Sequence, residues 1–180
     1  SLVAIPIGIP GAMGCFPSKK PIGNLASDFE TLLGAELETP DGRKPTKELL
    51  KGKRAIFLYF SAKWCAPCRS FTPLLVDVYK GQVTPDVEIV FVSEDMNEEH
   101  HQAYLKEMPW CAVPWEDAKL REKLAKQCRI VGIPSLLVLT PSLTVVTEYG
   151  VNWIQVTKNV DATLREVMPP EQAESAPNRA

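Results

Sequence analysis

Two cysteines separated by two residues stand in the segment Trp64-Cys65-Ala66-Pro67-Cys68. A nearly continuous apolar run ends just before them, and residues 66–80 repeat apolar groups at helical spacing. A helix that begins at Cys65 would place unpaired N–H groups and the positive end of its dipole beside the sulfur, which stabilises a thiolate. The spacing therefore predicts a reactive dithiol in which Cys65 attacks a disulfide and Cys68, one turn further on, resolves the mixed disulfide.

A zinc site is the alternative interpretation of such a cysteine pair. No second Cys-x-x-Cys or Cys-x-x-His follows at a suitable spacing. His100 and His101 fall in a segment rich in Glu and Gln, which favours a solvated helix face over metal ligands. We therefore expect no metal and no bound cofactor, because the Cys65–Cys68 dithiol itself would carry the electrons.

The remaining cysteines are Cys15, Cys111 and Cys128. An odd total of five, scattered apart from one close pair, is a poor disulfide framework for a secreted domain. The pattern favours a reducing compartment, and we expect a cytoplasmic protein. Cys111 and Cys128 are interpreted as small core residues rather than as further redox thiols.

The composition excludes several classes of function. The 180 residues carry a formal charge of −2, which leaves no broad basic surface for nucleic acid. The apolar runs are far shorter than the roughly twenty residues of a membrane-spanning helix. We expect one soluble domain over residues 24–168, between an irregular Pro/Gly-rich arm at 1–23 and a polar tail at 169–180.

Alternating apolar runs and helical spacings define the elements that must hold the dithiol. The pattern predicts helices over 24–33, 46–50, 66–80, 97–108, 116–127 and 156–167, and strands over 35–39, 54–61, 87–92, 135–139 and 143–149. Strands separated by helices favour parallel neighbours, whereas the turn at 140–142 favours an antiparallel pair. The order indicates an α/β fold with a mixed central sheet covered by helices on both faces.

Several segments together resemble one family. They are Trp64-Cys65-x-Pro67-Cys68, Ile133-Pro134, and the stretches Tyr-Phe-Ser-Ala-Lys-Trp-Cys at 59–65, Phe-Thr-Pro at 71–73 and Met-Pro-Trp-Cys-Ala-Val-Pro at 108–114. They are similar to the thioredoxin superfamily and, within it, to the tryparedoxin and nucleoredoxin branch. The resemblance implies a thioredoxin fold, dithiol–disulfide oxidoreductase activity, Cys65 as the nucleophile and Pro134 as a cis proline. Trp64, Ala66, Pro67 and Ile133 would then shape the docking surface.

For tryparedoxins, the resemblance also implies electrons from trypanothione, or another dithiol or reductase, passed on to disulfide-bearing proteins such as peroxidases. Three positions depart from the family pattern. Ala66 stands where tryparedoxins carry a first proline, Ser93-Glu94-Asp95-Met96 replaces their Trp-Asp-Glu, and Tyr59 occupies the position of the buried acid of thioredoxins. The second departure is closer to nucleoredoxins, so a redox-sensing module that binds a partner protein remains an alternative function.

One further motif lies in the N-terminal arm. Met13-Gly14-Cys15 followed by Ser18-Lys19-Lys20 matches the pattern for myristoylation at Gly14, with Cys15 available for palmitoylation. Two acyl chains, or one chain and basic residues, suffice for stable membrane attachment. This interpretation requires Met13 to be the start of the chain, and the alternative is an irregular arm with a spare thiol.

Overall fold

The computed structural model describes residues 21–81 and 86–168, so the predicted tail and most of the predicted arm lie outside the described residues. The helices are α1 (Phe29–Leu33), α2 (Thr46–Leu50), α3 (Ala66–Lys80), α4 (Glu98–Leu105), α5 (Ala118–Gln127), α6 (Gly150–Thr157) and α7 (Val160–Val167). The strands are β1 (Glu36–Thr39), β2 (Gly42–Pro45), β3 (Ala55–Ser61), β4 (Val87–Ser93), β5 (Cys111–Ala112), β6 (Ser135–Leu139) and β7 (Val145–Thr147).

The strands form a seven-stranded mixed sheet in the order β2-β1-β5-β4-β3-β6-β7. The central strands β3 and β4 are parallel and paired over seven residues each, from Ala55 opposite Val87 to Ser61 opposite Ser93. β6 runs antiparallel to β3, and β7 antiparallel to β6. Every residue of β3 and β4 is buried, which explains their almost unbroken apolar sequences. The predicted α/β fold with a mixed sheet is confirmed.

Two hydrophobic cores lie on opposite faces of the sheet, because successive side chains of a strand alternate between its faces. Phe57 and Tyr59 join one core with residues of α3, α4, α6 and α7. Ile56 and Leu58 join the other with residues of α1, α2 and α5. Helices therefore cover both faces, and the ends of the central strands are the places left open for a site.

The structure corrects three details of the sequence prediction. Asn24 does not start a helix: it pairs with Thr144, and α1 begins at Phe29 behind the capping carboxylate of Asp28. The helix predicted over 156–167 is interrupted at Lys158, a residue in the left-handed conformation: its first two residues end α6, which starts earlier at Gly150, and the rest contains α7. Two strands were not predicted: β2, which starts in the turn after β1, and β5, which has only two residues.

The two outer strands of the sheet border different surroundings. Beside β7, the N–H of Leu25 donates to the carbonyl of Leu143 at 3.0 Å, and the N–H of Val145 donates to the carbonyl of Gly23 at 2.9 Å. The segment 23–25 therefore covers part of this edge. At the opposite edge, β2 consists of Gly-Arg-Lys-Pro, and all four residues are exposed.

Candidate functional site

Cys65 and Cys68 lie where β3 ends and α3 begins, as the sequence predicts. They form a disulfide with their Cα atoms 5.2 Å apart. Cys65 is the N-cap residue of α3, and its sulfur accepts a hydrogen bond from the backbone N–H of Cys68 at 3.3 Å. Because the first N–H groups of a helix have no intrahelical partner, the Cys65 sulfur receives a donor that would also stabilise a thiolate.

The loop that follows β4 holds the residues just before Cys65. The backbone N–H of Lys63 donates to the Asp95 carboxylate at 2.8 Å, and the indole N–H of Trp64 donates to the carbonyl of Glu94 at 3.1 Å. Asp95 is buried and accepts a further hydrogen bond from the Ser93 hydroxyl. Because β3 and β4 are parallel neighbours, their carboxyl ends meet at this edge, and Ser93 to Asp95 are site residues that the sequence analysis did not assign.

Ile133 and Pro134 come to the same place from the segment before β6. The peptide bond between them is cis, as the resemblance implies. The carbonyl oxygen of Ile133 lies 3.7 Å from the Cys65 sulfur, which carries no proton in the disulfide and so only contacts the oxygen. Ala66 and Pro67 are exposed beside the disulfide, whereas Cys68 is buried. The structure thus brings together the predicted cysteines and all five predicted docking residues.

Exposed apolar side chains gather around this site. Among the described residues, the large hydrophobic side chains that stand exposed are Trp64, Met96, Val131 and Val156. The first three lie on the segments that form the site: Trp64 precedes Cys65, Met96 follows Asp95, and Val131 stands two residues before Ile133. We call these three residues the apolar rim. Exposed apolar groups that cluster in this way are typical of a surface that contacts another molecule.

The two cations next to the motif, Lys63 and Arg69, each have a protein partner. The Lys63 ammonium lies 3.9 Å from the Glu107 carboxylate. The Arg69 guanidinium donates to the carbonyl of Lys63 at 2.7 Å. Both groups are thus bound to protein partners, which leaves the helix N–H as the donor observed at the Cys65 sulfur.

Four buried hydroxyl groups lie behind the disulfide, and we call them the hydroxyl cluster: Tyr59, Ser61, Thr72 and Tyr104. The Thr72 oxygen lies 2.8 Å from the Tyr59 oxygen and 2.5 Å from the Tyr104 oxygen, and the Ser61 hydroxyl donates to Tyr59 at 3.0 Å. The Thr72 hydroxyl also lies 3.0 Å from the carbonyl oxygen of Cys68. The only sequence signal for this cluster was Tyr59 at the position of the buried acid of thioredoxins.

The two adjacent histidines differ. His100 is exposed, as predicted, but the prediction of a solvated position for His101 is wrong. Its ring is fully buried, is stacked on Phe91, and has Nε2 3.6 Å from a carboxylate oxygen of Glu38. Burial lowers the pKa of His101, although the Glu38 carboxylate opposes the shift. Within residues 21–81 and 86–168, no group of three His, Cys, Asp or Glu side chains could hold a metal ion.

Cys111 and Cys128 are buried, which confirms their interpretation as core residues. Burial raises the pKa of the Cys111 thiol well above its ordinary value and that of Cys128 to about 12. Both thiols therefore stay protonated at neutral pH. Gly14 and Cys15 lie outside the described residues.

None of the helices in the described part of the chain is long and apolar enough to span a membrane.

The chain matches the family model described as thioredoxin-like over residues 52–145. It is 41% identical over 144 residues to probable nucleoredoxin 1 of Arabidopsis thaliana, covering 77% of this chain and 25% of that protein. The crystal structure of native tryparedoxin I from Crithidia fasciculata superposes with a TM-score of 0.68 at 34% identity, covering 73% of this chain and 93% of tryparedoxin I. A structure of tryparedoxin II complexed with glutathionylspermidine gives a TM-score of 0.65 at 31% identity, covering 68% and 86%.

The chain thus spans only a quarter of the nucleoredoxin and nearly the whole of tryparedoxin I. Its sheet, its dithiol and its Ile133–Pro134 bond stand where the resemblance had implied them. The chain belongs to the thioredoxin-like family of oxidoreductases, in the branch that contains the tryparedoxins and nucleoredoxins.

Proposed function

We propose that the protein is a dithiol–disulfide oxidoreductase of the tryparedoxin type, which reduces disulfides of other proteins through Cys65 and Cys68. The observation that carries the proposal is the position of Cys65 at the N-terminus of α3, where its sulfur accepts the N–H of Cys68. A donor aimed at the sulfur favours the thiolate, which is the attacking species in thiol–disulfide exchange. Cys68 is close enough to close the disulfide with Cys65.

The exchange proceeds in two steps. The Cys65 thiolate attacks one sulfur of the target disulfide, forms a mixed disulfide and releases the other target sulfur, which takes up a proton. The Cys68 thiol then loses its proton and attacks the Cys65 sulfur, which closes the Cys65–Cys68 disulfide and releases the second target thiol. The target gains two electrons and two protons. An external dithiol returns them to the protein and is itself oxidised to a disulfide, so no bound cofactor is required.

Trypanothione is the small dithiol that we propose as the donor. Support comes from the tryparedoxin neighbours, one of which is described as a complex with glutathionylspermidine. This chain departs from the tryparedoxin pattern at Ala66, in place of proline, and in the segment Ser93-Glu94-Asp95-Met96, in place of Trp-Asp-Glu. Glutathione and a thioredoxin reductase are therefore the other donors to be compared.

Proteins with an accessible disulfide, such as peroxidases, are the proposed acceptors. The apolar rim of Trp64, Met96 and Val131 supports a polypeptide partner, because such side chains gain free energy when another protein covers them. Ile133 adds a backbone carbonyl beside the Cys65 sulfur, to which an extended segment of the partner can hydrogen-bond. Ala66 and Pro67, between the two cysteines, are exposed and can also contact the partner.

Reduction of the insulin disulfides tests this function. The reaction is followed with trypanothione, glutathione or NADPH with thioredoxin reductase as donor, for the native chain, Cys65→Ser and Cys128→Ala. We expect the fastest turnover with trypanothione, complete loss in Cys65→Ser, and turnover within about twofold of native in Cys128→Ala, whose thiol is buried and unreactive. Turnover with a different donor only would change the proposed donor and keep the enzyme.

A redox-sensing module that holds a partner protein is the second candidate, favoured by the 41% identity to a nucleoredoxin of which this chain spans only a quarter. Such a module would bind its partner in one redox state and release it in the other. Affinity capture from a cell extract with the reduced and the oxidised protein distinguishes the two functions when no donor supports turnover. In that case a partner retained in only one redox state would establish the sensor.

For the location, we propose the cytosol, with membrane attachment if Gly14 is myristoylated and Cys15 palmitoylated. The support is the sequence motif alone, since these residues lie outside the described part of the chain. Intact mass spectrometry of the protein isolated from its own cells, native and Gly14→Ala, is the test. A myristoyl group present on the native protein and lost in the variant would establish the site, and an unmodified N-terminus upstream of Gly14 would exclude it.

A further inference from the structure

We infer that the hydroxyl cluster of Tyr59, Ser61, Thr72 and Tyr104 is a positioning device that holds Cys68 in place to close the disulfide with Cys65. The inference rests on the proposed function only in treating Cys68 as the resolving cysteine. Its starting point is the contact between the cluster and the dithiol, the 3.0 Å distance from the Thr72 hydroxyl to the carbonyl oxygen of Cys68.

Counting donors and acceptors assigns a direction to the three hydrogen bonds that the Thr72 hydroxyl makes. A hydroxyl donates once and accepts up to twice, whereas a carbonyl can only accept. Thr72 must therefore donate to the Cys68 carbonyl, and the hydroxyls of Tyr59 and Tyr104 must donate to Thr72. Ser61 donates to Tyr59 and so supports its orientation. Both lone pairs of the Thr72 oxygen are then used by the two tyrosines, and Thr72 alone donates to the Cys68 carbonyl.

These four hydroxyls connect three elements of the structure. Tyr59 and Ser61 belong to β3, Thr72 to α3 and Tyr104 to α4, and each is almost fully buried. The cluster thus fixes the first turn of α3 against the strand whose end carries Cys65. A displacement of α3 relative to β3 would move Cys68 away from Cys65, and it would have to break these bonds in a site that water does not reach.

The sequence of α3 places a weak point of the helix next to this link. Pro73 lies inside the helix and has no N–H, so the carbonyl of Arg69, four residues earlier, loses its intrahelical donor. The helix is therefore weakened in the turn directly after Cys68. Thr72 donates to the Cys68 carbonyl, the neighbour of the Arg69 carbonyl that Pro73 leaves without its donor, and so attaches this weakened turn to the hydroxyl cluster.

The cluster is neutral, unlike the buried carboxyl group that stands at the position of Tyr59 in thioredoxins. Burial and the neighbouring Tyr104 raise the pKa of Tyr59, so its phenol keeps its proton at any physiological pH. Because the Tyr59 phenol is not ionised, it cannot act as the base that takes the proton from Cys68. The hydroxyls consequently act on the geometry of the dithiol and not on its proton balance.

The test compares Thr72→Val, which keeps the shape and removes the hydroxyl, with Thr72→Ser, which keeps the hydroxyl. Thr46→Val is the matched control, because Thr46 is fully buried and its hydroxyl also donates to a backbone carbonyl, that of Gly34 in the α1–β1 connection. The equilibrium constant for closing the Cys65–Cys68 disulfide is measured in dithiothreitol redox buffers, and urea unfolding is measured in parallel.

We expect Thr72→Val to lower this equilibrium constant about tenfold, which corresponds to a reduction potential about 30 mV less negative. Thr72→Ser should stay within about twofold of the native protein, and Thr46→Val should lose stability without any change in the constant. An unchanged constant in Thr72→Val, or an equal change in Thr46→Val, would overturn the inference. Because dithiothreitol replaces the physiological donor, the result stands whether or not insulin is turned over.

Discussion

The two ends of the parallel strands β3 and β4 carry different kinds of side chain. At their amino ends, the Arg54 guanidinium lies 3.1 Å from the Asp86 carboxylate and also pairs with Asp161, while Lys53 pairs with Glu88 at 3.2 Å. These charged side chains are largely buried, so ion pairing must compensate for the loss of water. At the carboxyl ends stand the disulfide, the hydroxyl cluster and the apolar rim.

This difference separates the part of the molecule that anchors helices from the part that reacts. Arg54 connects the start of β3 to the start of β4 and to α7, far along the strand from Cys65. At the reactive end the surroundings of the Cys65 sulfur are backbone groups, the N–H of Cys68 and the carbonyl of Ile133. Substitutions at the two ends should therefore affect different properties.

The largest effect on stability is expected at the ionic end. Arg54→Met keeps the aliphatic stem but leaves the Asp86 and Asp161 carboxylates without their cation, so we expect a loss of about 3 kcal/mol in the free energy of unfolding. Insulin reduction at 25 °C should stay within about twofold of native. Urea unfolding and initial rates measure the two quantities, with Lys44→Met, at the exposed Lys44–Asp41 pair, as the control that changes neither. A parallel loss of both properties would show that the two ends are coupled.

At the apolar rim we expect a smaller effect, on activity rather than on stability. Trp64→Ala should lower kcat/KM for insulin about tenfold, equivalent to about 1.4 kcal/mol, because the half-exposed indole would contact the partner protein. The free energy of unfolding should change by less than about 1 kcal/mol. Val156→Ala, which removes an exposed apolar side chain on α6, is the control. Equal kcat/KM in Trp64→Ala and the native protein would remove the rim from the docking surface.

The smallest effect is a pH dependence close to the reactive end. Burial lowers the pKa of His101, so between that pKa and the ordinary value near 6.5 the unfolded chain binds more protons than the folded one. Stability should therefore fall as the pH drops below about 6.5, opposed by the attraction of Glu38, and His101→Phe should flatten this slope. Urea unfolding between pH 5 and pH 8 measures it, with His100→Gln as the exposed control. A slope that is equally steep in His101→Phe would assign the effect to other groups.

The fold could be predicted where the sequence pattern was strong. Residues 54–61 and 87–92 are apolar almost throughout and became the two fully buried central strands. β5 could not be predicted, because two residues are too few for any periodicity. The break between α6 and α7 was not predicted either, because lysine has no preference for the left-handed conformation that Lys158 adopts at the end of α6.

The part of the site that is formed by residues adjacent in sequence could be predicted. The Trp64–Cys68 motif identified the dithiol, and family resemblance added Ile133 and Pro134. His101 was misplaced, because its neighbours are Glu and Gln and its burial arises from contacts with β1 and β4. Thr72 and Tyr104 were missed because their hydroxyls meet only when α3 and α4 pack on the sheet.

The edges of the sheet carry a consequence for aggregation. An unpaired strand edge is a template for strands of other chains. β2 blocks such pairing with its charges and Pro45, whereas β7, with its valines, relies on the segment 23–25 that binds alongside it. A chain shortened to start at residue 26 would keep the dithiol and the hydroxyl cluster but would open this edge, and it should self-associate at concentrations where the longer chain does not.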